Sequence, residues 1–192
     1  MKKQIIAGMA AAMVCVGAVG GTFAYLTSTA EVENTFSVGK VKITLDEAPV
    51  GTDGKKIDGD RVTKNDYHLI PGGKYDKDPT VHVEAGSEDS YIFVKISNEI
   101  ASIADVTSQI SDKGWTAVPE YDDVYYKEYS TDDQQTDYVV FETLSINGEV
   151  TGETLAELDN TDLTVTAYAI QQAGFEDDVV GAYEEVAGLA TE

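Results

Sequence analysis

Four aspartates, Asp53, Asp58, Asp60 and Asp66, fall within one glycine-rich stretch, and a hard cation such as calcium wants several carboxylate oxygens held together. Their spacing is not that of an EF-hand loop, and Lys55, Lys56, Arg61 and Lys64 stand among them to compete for the same oxygens. A solvated loop is therefore expected, with calcium the one cofactor worth weighing against an expectation of none. The chain has two histidines, His68 and His82. A zinc-peptidase helix needs two histidines at i and i+4 with a glutamate beside the first, so that both imidazoles face one metal and the carboxylate activates its water. No such motif occurs. In His82-Val83-Glu84 the histidine and glutamate share one face of an expected strand with no third ligand nearby, which reads as a lone surface histidine. Neither histidine sits in the context of a serine triad, and no phosphate-cradling or dinucleotide-binding glycine motif is present. The acidic pairs Asp122-Asp123 and Asp132-Asp133 are what a solvated face of so acidic a chain would carry. No catalytic or metal residue is assigned, and no enzyme is expected.

The elements that must position these residues are short runs of period-two apolar residues broken by Gly, Pro, Asn and Asp, the pattern of half-buried strands. Phe36, Val38, Val41, Ile43 and Leu45 predict a first strand with a bulge at Gly39. Val81 and Val83 predict another, followed by a well-buried strand at 91–96, an aromatic one at 124–129, and two more at 138–144 and 163–170. Helical spacing predicts short helices within 99–110 and 177–189, the latter opened by Asp177 and Asp178 and striped by Val179, Val180, Tyr183 and Val186. Residues 48–66 lack an apolar period and read as an exposed loop. The fold class is all-β, an antiparallel jelly-roll-like sandwich with one or two short peripheral helices, preceded by a signal peptide.

That leader begins with Lys2 and Lys3, continues through an apolar run to Gly20, and ends on Thr22 and Ala24 at the −3 and −1 places of a small-x-small site. Cleavage is expected between Ala24 and Tyr25, giving segments 1–24 (signal peptide), 25–35 and 36–192 (one β-sandwich domain). Cys15 is preceded by Val14 and lies inside the apolar run, so a lipobox is not expected. With it goes the only cysteine, and stability must come from a packed core rather than disulfides. Loss of Lys2 and Lys3 with the leader takes the net charge from −22 to −24. Nucleic acid and anionic lipid are poor partners for such a surface, and self-association should depend on pH and salt. Residues 187–192 carry no sorting pentapeptide, apolar tail or basic stop, so no lasting membrane or wall anchor is expected.

An ordered set of motifs carries a family resemblance. Gly20-Gly21-Thr22-Phe23-Ala24-Tyr25 is followed by Asn34-Thr35-Phe36-Ser37-Val38-Gly39-Lys40-Val41, Pro71-Gly72-Gly73-Lys74, Pro79-Thr80-Val81 and Tyr91-Ile92-Phe93-Val94-Lys95-Ile96. Ala167-Tyr168-Ala169-Ile170-Gln171-Gln172-Ala173-Gly174-Phe175 closes the series. In these elements the chain resembles the camelysin/TasA family, exported proteins of Gram-positive bacteria that a dedicated signal peptidase processes. The resemblance implies secretion to the cell surface or biofilm matrix and a jelly-roll sandwich. For the TasA branch it also implies extracellular fibres in which an N-terminal strand completes the sheet of a neighbouring subunit. The implied partners are further copies of the chain, the signal peptidase during export, and an accessory matrix protein. The donor would be residues 25–35, with Tyr25, Leu26 and Val32 its apolar side chains. Alternatively this stretch is a disordered leader or pairs within its own domain. The competing class is a surface metallopeptidase, because camelysin itself is described as one; the missing zinc motif weighs against it.

Overall fold

A computed structural model describes residues 40–158 and 161–190. The expected cleavage site Ala24–Tyr25, the candidate donor side chains Tyr25, Leu26 and Val32, and Phe36, Val38 and Gly39 of the expected first strand lie outside the described residues.

Nine strands and three short helices follow one another in the described chain: β1 (Ile43–Asp46), β2 (Lys74–Asp76), β3 (Thr80–Val83), β4 (Ser90–Asn98), α1 (Thr107–Asp112), β5 (Thr116–Ala117), β6 (Val124–Tyr129), β7 (Asp137–Val139), β8 (Thr143–Ser145), α2 (Gly152–Glu157), β9 (Leu163–Gln171) and α3 (Val179–Ala187). All strand pairs are antiparallel. One sheet has the order β1-β3-β7, a second β5-β6-β4-β9, and β2 pairs with β8.

The apolar alternation explains the layering. On β4, Ile92, Val94 and Ile96 point into one core with Val81, Val83, Trp115, Tyr138 and Phe141, between the four-stranded sheet and the other strands. Tyr91 and Phe93 point the other way, into a second core with Val124, Val118, Ala182 and Tyr183. β4 is thus buried on both faces, which is why its sequence is a continuous apolar run rather than an alternation. The helix α3 closes the second core: Tyr183 meets Phe93, Tyr121 and Tyr168 at ring separations of 5.4, 4.9 and 6.1 Å. Asp178 caps that helix by accepting from the Gly181 N–H, and Gly188 ends it with a left-handed φ of 69°.

The expected antiparallel sandwich is met, with four local corrections. The single strand expected over 138–144 is two, because Val140 and Phe141 carry the chain from β7, beside β3, to β8, beside β2, and stay fully buried while crossing. The helix expected within 99–110 forms only at 107–112; Ile100, Ile103 and Ala104 are buried on irregular turns before it. The strand β2 and the helix α2, the latter capped by Thr151 on the Thr154 N–H, add to the expected elements. The segment 48–66 is largely exposed as expected, yet it is fastened by bridges between Glu47 and Val62 and between Val50 and Lys56. Among the described residues no helix is long and apolar enough to cross a membrane.

Candidate functional site

Two edge strands, β1 of one sheet and β9 of the other, approach each other along one side of the sandwich. No described strand pairs with the outer edge of either. Between them opens a groove of about 640 Å³, lined by Leu45, Leu69, Ile100, Leu144, Leu163 and Val165 below and by Asp46, Glu47, Lys64, Asp66 and Asp162 at the sides. Leu45, Leu69, Leu163, Val165 and Ala167 belong to the main core but are only partly covered. Among the described residues the core is therefore incomplete along this seam. On β9 the exposure alternates at Leu163, Thr164, Val165 and Thr166, leaving a row of aliphatic side chains leaning inward beside a backbone edge that no described strand pairs.

A charged network fixes the β1 side of the seam. The register puts His82 of β3 directly opposite Asp137 of β7, and Asp46 of β1 one diagonal step away on the same face. His82 Nδ1 lies 2.7 Å from Asp137 Oδ1, and Nε2 lies 2.9 Å from Asp46 Oδ1. Partial burial works against the imidazolium, but the two carboxylates outweigh it and raise the His82 pKa above its ordinary value. Arg61 shares the Asp46 oxygen with His82 and extends the cluster to Asp78. Its Nε donates to Asp46 Oδ1, its Nη1 to Asp78 Oδ2 at 3.2 Å, and its Nη2 to the carbonyls of Asp46 and Asp78 and to Thr80 Oγ1. Asp78, 7% exposed, also takes the Ala48 N–H at 2.8 Å and Lys56 Nζ at 3.0 Å. Burial alone would raise the Asp78 pKa, and these donors hold it below the usual carboxylate range. Beside them Lys77 and Glu47 form a pair at 2.8 Å with side chains only 11% and 7% exposed. Tyr67, whose ring lies under Lys77 and whose hydroxyl donates to the Asp76 carbonyl, has its pKa pushed up by burial and by Glu47 and Asp78.

The network corrects one expectation from the sequence. His82 is not a lone surface histidine; it is clamped by two aspartates distant in sequence. Both ring nitrogens are occupied by carboxylates of two different strands, so the imidazole, when protonated, ties three strands together. His68 stays exposed and contributes its carbonyl to Tyr75 Oη. The aspartates weighed for calcium do not converge: no group of three or more His, Cys, Asp or Glu among the described residues could hold a metal ion. The cations interleaved with them bind carboxylates elsewhere, Lys55 to Asp76, Lys56 to Asp78 and Arg61 to Asp46. Sequence reasoning missed Asp46, Asp78, Asp137 and Arg61, and only the strand register, invisible in one sequence, could have joined them.

No curated protein and no solved structure matches the chain at a significant level. A family model described as camelysin metallo-endopeptidase matches residues 1–91, a span that carries the expected leader, β1 to β3, the segment 48–66 and the opening of β4. Over those 91 residues the chain is similar to the camelysin family, in line with the resemblance that its ordered motifs carry.

Proposed function

We propose that this is an exported structural protein of the cell surface or biofilm matrix, built into fibres by strand donation from one copy to the next. The observation that supports this reading is the seam between β1 and β9, where two edges that no described strand pairs flank an apolar floor. A strand added there pairs its backbone with an edge while alternate side chains fill the groove. The donor proposed is residues 25–35 of the mature chain, freed when the leader is cut between Ala24 and Tyr25. Extended, its eleven residues reach about 36 Å, against about 30 Å for the nine of β9, so the donor is long enough to cover the whole edge. Tyr25, Leu26 and Val32 are the side chains offered to the groove.

The leader and the high negative charge agree with this reading. Subunits carrying −24 must approach within a Debye length of about 8 Å, so assembly should be slow at neutral pH and faster in acid, added salt or divalent cations. The family description favours a second reading, a metallo-endopeptidase.

The test compares mature chain starting at Tyr25 with a variant lacking residues 25–35, at pH 7 and near pH 4.5, by light scattering and electron microscopy. Ordered fibres from the complete chain alone are expected. Equal fibre formation by the truncated chain would remove strand donation, and absence of any ordered polymer would remove the fibre role. Chelator-sensitive peptide cleavage by the purified mature chain would establish the endopeptidase reading instead.

A further inference from the structure

Far from the seam, on the row of β6 that faces the main core, Tyr125 and Tyr129 flank a lysine, Lys127. Its ammonium lies 5.5 Å from the centre of the Trp115 ring and 5.6 Å from that of Tyr138, and it donates to the Lys113 carbonyl at 2.6 Å. The remaining two N–H groups have no protein acceptor among the described residues. This is unusual in a chain with 35 acidic residues. Of the described cations without a carboxylate within 4 Å, Lys40, Lys64, Lys74 and Lys95 are exposed, and Lys127 alone is partly buried. Burial, and then the like charge of Lys113, push its pKa below the ordinary lysine value, as expected where solvent and counter-ion are both scarce.

Lys127 opens into a cavity of about 580 Å³ separate from the seam. Asp133, Gln134 and Gln135 line it as well, together with the β6 neighbours Tyr126 and Glu128, whose side chains alternate to the other face of the strand, where the Tyr126 ring packs on Tyr91 and Phe93. A simple anion would gain Lys127 but meet the repulsion of the Asp133 carboxylate. A molecule carrying one carboxylate and several hydroxyls suits the groups beside Lys127: its carboxylate accepts from Lys127, its hydroxyls donate to Asp133, and the glutamine amides serve either role.

We propose that the Lys127 cavity binds a polyhydroxylated carboxylate of the sugar-acid class, either free or as a unit of an acidic polysaccharide. The site is independent of strand donation, so the truncated chain lacking residues 25–35 should retain it.

Trp115, the only tryptophan, sits on Lys127 and reports the event by its fluorescence. Mature protein is titrated with D-glucuronate, with polyglucuronate, and with glucose and acetate as controls, by fluorescence and by isothermal calorimetry. Saturable binding of both uronates is expected, with glucose and acetate weaker by about tenfold or more, the loss of one charge-assisted contact or of the hydroxyl set. The polymer binding more tightly per uronate unit than the monomer marks a matrix polysaccharide as the source; equal affinities mark the free acid. Lys127→Met, which keeps the stem between the rings, should lose at least tenfold, and Gln134→Ala at the exposed rim several-fold. Uronate binding no tighter than glucose, uronate binding unchanged in a Lys127→Met variant with native near-ultraviolet dichroism, or no saturable signal by either method overturns the proposal. If Lys127→Met does not fold, Gln134→Ala together with the glucose comparison decides it.

Discussion

Replacing Arg61 by methionine keeps most of the side chain's length and removes the guanidinium that ties the segment 48–66 to β1 and β3. The variant forfeits the ion pairs with Asp46 and Asp78 and the donations to two carbonyls and Thr80 Oγ1. Breaking a fully buried ion pair by removing one partner costs about 3–5 kcal/mol, most of it from the charge left behind. Two features reduce that here: the Arg61 side chain is 34% exposed, and Asp78 keeps Lys56 and the Ala48 N–H. Roughly half the buried-pair cost is then expected, about 2 kcal/mol, or about 4–8 °C in Tm for a domain of this size. Thermal and urea unfolding at pH 7, followed by circular dichroism and Trp115 fluorescence, measure it. Adding Asp78→Asn to Arg61→Met removes the stranded charge, so the double variant should be more stable than the sum of the single losses by about 1 kcal/mol or more. A loss below about 0.5 kcal/mol for Arg61→Met, or strict additivity of the two changes, would refute the claim that Arg61 neutralises a buried carboxylate.

Stability should also depend on pH through His82. A histidine whose folded pKa is raised stabilises fully below its unfolded value of about 6.5 and loses that contribution as pH rises through the folded value, so unfolding at pH 5.5 and 8.5 should differ more in the parent than in His82→Gln, by about 0.2–1 kcal/mol per pair. The lowered Asp46 and Asp78 act in the opposite window, their contribution falling away as pH drops below the ordinary carboxylate range. Tyr183→Ala empties the centre of the second core and should cost about 3–5 kcal/mol in urea unfolding, with detachment of α3 visible as faster amide exchange at 179–187. Gly54→Ala forces a side chain onto a φ of +68° with its Cβ driven into the Tyr75 ring, so a loss of about 2 kcal/mol or more is expected in the same assay, and a neutral result would mean that the turn rearranges freely.

How much of this the sequence disclosed depended on whether the signal was local. The buried run of β4 and the aromatic run of β6 were legible because period and composition sit in adjacent residues. The C-terminal helix was legible from its stripe and its opening aspartates. β2 was not, since Lys-Tyr-Asp offers one apolar residue and no alternation. The break between β7 and β8 was hidden because Val140 and Phe141 are apolar whether the chain stays in one sheet or leaves it. The clamp on His82 was illegible for a stronger reason: its aspartates lie 36 and 55 residues away, and only the pairing of β1, β3 and β7 makes them neighbours. Lys127 could have been suspected, because a lysine among the alternate tyrosines of an aromatic strand occupies a core-facing position.

The coverage of β4 on both faces sets the order in which the molecule can complete itself. Phe93 packs on Tyr183, and β4 pairs along its whole length with β9, so two of its neighbours are among the last parts of the chain to be made. Until they emerge, Tyr91 and Phe93 present a greasy surface to any sticky neighbour, and closure of such distant contacts is slow. Closure after the whole chain is made, rather than folding during synthesis, is the route this architecture favours, and a chain truncated before Val179 should be captured by chaperones instead of folding.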